Sequence, residues 1–161
     1  MSQQNYKTNN DAMTNKIQKT ILAGIIGTMV MTAVTLMAPM MGIPKMSPPE
    51  MLSAMLGVPV FAGWIMHFMI GIMFAFAYTY LCIFKWKIQN VYLKGLVFGV
   101  IIFIVAQIAM AAIGAMMQMP NMQGSKILSM GGSLIGHVIF GMVVSKTVGN
   151  AYCAGKACET R

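Results

Sequence analysis

Polar and apolar residues in this chain are sorted into long blocks. Residues 1–19 are rich in Gln, Asn and Lys, and the stretches 20–44, 51–84, 95–125 and 127–145 then contain no Asp, Glu, Lys or Arg. Each block has room for a membrane span of about 20 residues. Backbone in hydrocarbon must satisfy its own hydrogen bonds, which leaves helices or closed barrels. The blocks lack the polar alternation of barrel strands, so the pattern predicts transmembrane helices at about 20–41, 60–84, 93–117 and 127–148. Between the first two, Ser47-Pro48-Pro49-Glu50 reads as a helix start, with Pro in the first turn and an acid near the positive end of the dipole. It predicts a short interfacial helix at about 48–56, with Met51, Leu52 and Met55 facing lipid or the bundle.

The chain also repeats itself. Lys19 with Gly24, the run Met40-Met41-Gly42-Ile43-Pro44-Lys45-Met46, and His67 with Gly71 are followed in the same order by Lys94 with Gly99, Met116-Met117-Gln118-Met119-Pro120-Asn121-Met122, and His137 with Gly141. The offsets are 75, 76 and 70 residues. The expected fold is an all-α membrane protein with two tandem helical hairpins related by a pseudo-twofold axis along the membrane normal. The divisions expected are a disordered polar tail over 1–18, two-helix repeats over 19–92 and 93–149, and a C-terminal tail over 150–161.

Charge orients this arrangement. Nine of the eleven basic residues fall before the first span, between the second and third, or after the fourth, and only Lys45 and Lys126 lie in the opposite loops. The positive-inside rule then places both termini in the cytoplasm. The net charge of +8 is accounted for by a collar facing anionic lipid headgroups, with no need for a nucleic-acid partner. Cys82, Cys153 and Cys158 fall on that reducing side and are expected to be free thiols.

Helical spacing puts Gly63, His67, Gly71 and Ala75 on one face of the second span, and Ser133, His137, Gly141 and Ser145 on one face of the fourth. Small residues let membrane helices approach closely, so Gly63, Gly71, Ser133 and Gly141 are candidate packing positions. His67 and His137 can serve as structural hydrogen-bonding groups, or as a ligand pair for haem iron or copper. In the first and third spans Gly24, Thr28 and Thr32 align with Gly99, Phe103 and Gln107. The Gln107 amide has donors and an acceptor that lipid cannot satisfy, so it should point into the bundle, with Thr32, His67 or His137 as partner.

Residues 37–55 and 116–130 hold eleven of the twenty methionines in 34 of 161 residues. Thioethers select Cu(I), which makes Met40, Met41, Met46, Met116, Met117 and Met122 a candidate outer soft-metal cluster. The alternative is that methionine is a flexible filler at irregular helix ends. The three acids, Asp11, Glu50 and Glu159, lie outside the spans, so no carboxylate pair or nucleophile triad is formed and no enzyme is expected.

Gly63-Trp64-Ile65-Met66-His67 with Gly71, then Lys94-Gly95-Leu96-Val97-Phe98-Gly99-Val100, and Gly136-His137 with Gly141 resemble the corresponding segments of small bacterial four-span membrane proteins of unassigned function, over about residues 19–149. The resemblance implies a bacterial inner-membrane location and brings no catalytic residue with it. The leading expectation is a non-catalytic accessory or assembly subunit of a membrane complex, with a membrane-protein partner or a homo-oligomer in the bilayer. A copper- or haem-binding protein is the alternative, and a small channel or transporter a further one.

Overall fold

Five α-helices follow one another in the computed structural model, which describes residues 2–42, 47–80, 90–116 and 125–149. They are α1 (Ser2–Met37), continued by a 3₁₀ turn (Ala38–Met41), α2 (Pro48–Leu56), α3 (Val60–Tyr80), α4 (Val91–Met116) and α5 (Lys126–Val148). No strand occurs among the described residues. Four stretches, Met13–Met40, Val60–Tyr80, Val91–Met116 and Ile127–Val148, are long and apolar enough to cross a bilayer, at the places expected. Residues 81–84 and 117, counted in the expected second and third spans, lie outside the described residues.

The stretch 1–18 differs from expectation. Backbone is helical from Ser2 onward, so the polar segment extends α1. Adding residues to an existing helix end costs far less than nucleating one, and the apolar part of α1 supplies that nucleus. Residues 150–161, with Cys153 and Cys158, lie outside the described residues, as does Cys82.

α2 forms where its start signal predicted. Ser47 is extended (φ −116°, ψ 97°), Pro48 and Pro49 occupy the first turn and Glu50 sits beside them. Gly57 ends the helix in the left-handed conformation (φ 64°). Ser53 then donates through Oγ to the Val58 carbonyl at 2.6 Å, which turns the chain directly into α3. Gly63 lets the two helices touch: a Cβ there would strike the Pro49 carbonyl and stand 3.0 Å from Ser53 Cβ. Met55 is buried in this corner.

α1 packs on α3, and α4 packs on α5. Both pairs cross at glycine. A Cβ on Gly24 would lie 2.7 Å from Ile72 Cα and 3.2 Å from the Gly71 carbonyl, while one on Gly71 would run into Thr28 Oγ1. In the other pair a Cβ on Gly99 would lie 2.5 Å from the His137 carbonyl, and one on Gly141 would be 2.7 Å from Gly99 N. Gly24 with Gly71 and Gly99 with Gly141 are the residues that the offsets of 75 and 70 connect. Without a hydrophobic drive between helices in lipid, such close backbone contact is what holds a pair together.

The pairs are joined mainly through α1 and α5. Gly27 faces Phe140 and Val144, and Gly136 faces Met31 and Thr35. Around this seam lies a buried cluster containing Ala23, Met31, Ala75, Tyr78, Phe98, Ile102, Phe140 and Val144. α3 and α4 form no seam of comparable extent. They meet at one end, where the Tyr78 and Phe98 rings stand edge to face with centroids 4.8 Å apart. Tyr78 Oη hydrogen-bonds Ser145 Oγ at 2.7 Å, and Ser145 Oγ donates to the Val91 carbonyl at 2.8 Å. At the same end Thr20 Oγ1 bonds Thr79 Oγ1 at 3.1 Å and Lys16 Nζ lies 4.5 Å from the centre of the Tyr80 ring. Lys16, Lys94 and Lys146 thus gather at this end, and α2 closes the other.

Candidate functional site

Towards the α2 end, α3 and α4 separate and leave a cavity of about 780 Å³. Thr28, Met31 and Thr35 of α1, Ile70 and Phe74 of α3, Ile102, Ala106 and Met110 of α4, and Phe140 of α5 line it, and Met51 and Leu52 of α2 close one side. His67, His137, Gln107 and Ser133 also line it. Three polar side chains singled out from sequence on three different helices therefore share one space.

Side-chain volume explains why the space exists. Carrying the offsets of 75 and 70 onto the α1–α5 seam pairs Gly27 with Ile102 and Gly136 with Met66. The seam closes because glycine on one helix receives a large side chain from the other. At the corresponding α3–α4 positions stand Ile102 on one side and Ile70 and Phe74, the counterparts of Phe140 and Val144, on the other, and all three line the cavity. Bulk opposes bulk, so the helices cannot approach as α1 and α5 do. The sequence carried this signal in the Gly27/Ile102 difference, and only comparison of the two halves position by position would have found it.

The two imidazoles are held differently. Thr32 donates its single hydroxyl hydrogen to the Thr28 carbonyl at 2.7 Å, so its oxygen is an acceptor for His67 Nε2–H, 3.0 Å away. This is the structural bond to a neighbouring helix that the sequence suggested. His137 turns to its own helix: Nδ1 lies 2.7 Å from the Ser133 carbonyl, which can only accept, so Nδ1 carries the hydrogen. The His137 ring also meets Phe103 edge to face at 6.0 Å. A neutral imidazole has one N–H and one lone pair, which leaves His67 Nδ1 and His137 Nε2 as acceptors.

Neither of those nitrogens, nor the Gln107 amide, makes a hydrogen bond among the described residues. The one side-chain N or O that is fully buried and unpaired among them is Ser47 Oγ. The three groups therefore keep open access, and the cavity is the space they line. None of the partners expected for Gln107 bonds its amide: Thr32 is bonded to Thr28 and His67, and His137 to Ser133. Ser133, expected as a packing residue, lies on the cavity wall half-buried, whereas Gly63, Gly71 and Gly141 are buried at crossings.

The arrangement constrains the metal readings. Haem iron held by Nε2 of both histidines does not fit, since His67 Nε2 is turned to Thr32 and only His137 offers Nε2. Met40 and Met116 are 85% and 87% exposed at the α2 end. The Met41 side chain and Met46, Met117 and Met122 lie outside the described residues. Four methionines outside that expected cluster, Met31, Met73, Met110 and Met130, line the cavity instead. Among the described residues no three His, Cys, Asp or Glu side chains gather as a metal site.

The model of a family of unknown function, DUF6789, matches residues 14–155. No curated protein and no solved structure matches the chain.

Proposed function

We propose, for a chain that belongs to the family of unknown function DUF6789, a non-catalytic role as a multi-pass membrane protein that holds an apolar ligand taken from the bilayer. The observation that carries this is the cavity between α3 and α4, large, mostly apolar, and lined by His67, His137 and Gln107, the two imidazoles each with one ring nitrogen bonded and one left over. Ligand sites have this character: apolar walls for affinity and a few polar atoms for orientation. Polar groups inside a membrane are costly to keep without a use. Entry is lateral, since the separation of α3 from α4 faces lipid.

The bacterial inner membrane is its location in this reading, with both termini cytoplasmic. The basic end of the bundle supports that orientation through the positive-inside rule and puts the cavity in the outer half. Bilayer lipid covers exposed residues such as Ile104 and Ile108 of α4, so the role needs no protein partner, and an accessory subunit would act through the same cavity. Two features favour a binding role over a channel: α2 closes the cavity on the outside, and Tyr78, Phe98 and Ser145 close the bundle at the basic end.

The test is the small-molecule content of protein purified in mild detergent, by extraction and mass spectrometry, beside Ala106→Trp, which fills the cavity. Wild type should retain an apolar compound that the folded variant lacks. Equal content in both would overturn the proposal.

A further inference from the structure

Resting on that ligand-binding role, we propose that the ligand's head is a quinol, an aromatic ring with two hydroxyl donors, and that its tail leaves between α3 and α4. The hydrogen-bonding inventory selects it. His67 Nδ1 and His137 Nε2 are acceptors by the bonds their partner nitrogens make to Thr32 and Ser133, and they come from different helices on the wall of one cavity. A head with acceptors alone, such as a quinone, would face lone pairs with lone pairs. A hydrocarbon would leave both imidazoles unpaired in an apolar space, which is unfavourable. Two hydroxyl hydrogens complement two imidazole lone pairs. The Gln107 amide can then donate to a hydroxyl oxygen, which keeps accepting capacity after it has donated.

Shape agrees. Phe74 and Phe140 line the same space and offer aromatic faces and edges to a ring. A volume of about 780 Å³ is far more than a metal ion fills, and falls within the roughly 300–1,000 Å³ of small-molecule sites. The open side between α3 and α4 gives an apolar tail a route that never leaves hydrocarbon. The proposal is one of binding only, with no transfer of electrons or protons.

Anaerobic calorimetric titration of the full-length protein in detergent tests this, with three probes: decylhydroquinone, decylbenzoquinone and the dimethyl ether of decylhydroquinone. The hydroquinone should bind more tightly than either of the others by about tenfold or more, the worth of one net hydrogen bond. His137→Phe and Gln107→Leu should each weaken hydroquinone binding about tenfold and keep a wild-type melting temperature, and His137→Phe, which removes an acceptor that only the hydroxyls use, should leave binding of the ether unchanged. Equal affinity for the three probes would refute the quinol head while the cavity kept its role as a binding site. Binding of none, together with no compound retained on purification, would remove both.

Discussion

The α1–α5 seam and the α3–α4 cleft occupy corresponding places in the two halves of the sequence, yet one is closed and the other holds a cavity. Along the seam, Gly27 admits Phe140 and Val144, and Gly136 admits Met31 and Thr35. Along the cleft the counterparts of the two glycines are Ile102 and Met66, and Ile102 stands across from Ile70 and Phe74. Glycine at two positions of the seam, against Ile102 and Met66 at the matching positions of the cleft, accompanies the change from a contact surface to a container. In water the hydrophobic effect would press such a gap shut. In a bilayer lipid tails are as good a neighbour as leucine, so mismatched bulk can hold two helices apart without a large cost. The polar groups follow the same division. Threonines of α1 bond back to their own helix or to His67, whereas α4 carries Phe103 and Gln107 at the positions of Thr28 and Thr32. Gln107 therefore has no bond among the described residues where Thr32 has two, and both histidines keep one ring nitrogen open on the cavity wall.

Substitutions can break or sharpen this comparison. The largest effect is expected away from both surfaces, at the crossing of α4 and α5. Gly99→Leu places side-chain atoms against the His137 carbonyl and Val138 Cα, backbone that cannot rotate aside. A loss of more than about 3 kcal/mol is expected, beyond the usual cost of overpacking, read as a collapse of monodisperse protein in detergent. Gly27→Ile comes next. It meets the Phe140 ring at 3.0 Å and Val144 Cγ2 at 3.1 Å, side chains that can yield, so about 1–3 kcal/mol is expected in thermal or denaturant unfolding. Thr32→Val, which removes the interhelical bond to His67, should cost about 0.6 kcal/mol, the mean for such bonds in membranes. Ala106→Leu adds comparable bulk on the cleft side, where the cavity receives it, and its stability should stay within about 0.5 kcal/mol of wild type. If Ala106→Leu destabilised the protein as much as Gly27→Ile, the two surfaces would be alike and the cleft would lose its meaning.

Much was legible in the sequence. Charge-free blocks placed the second, third and fourth spans to within a few residues, because a bilayer tolerates little else, while the first begins at Met13 and not at about 20. Ser47-Pro48-Pro49-Glu50 located α2, and four-residue spacing found the glycines at which helices cross. His67, His137 and Gln107 stand out as polar residues against an apolar span, and the structure buries His67 and leaves His137 and Gln107 half-buried on the cavity wall. The extent of α1 was misread, since polar composition says little about a segment that continues an existing helix. Ser133 lies on the cavity wall, a place that spacing alone did not indicate, because a small residue serves equally for a contact and for a cavity wall.

Composition and periodicity by themselves determined that this chain forms helices long and apolar enough to cross a membrane, roughly where their apolar parts lie, and which faces carry small or polar groups, for these properties depend on each residue's own transfer into lipid or on neighbours three and four positions away. Whether His67 and His137 shared a space, which ring nitrogen each kept free, and what Gln107 touched were decided only when four helices packed together. Those outcomes depend on the difference in bulk between pairs of surfaces far apart in the chain.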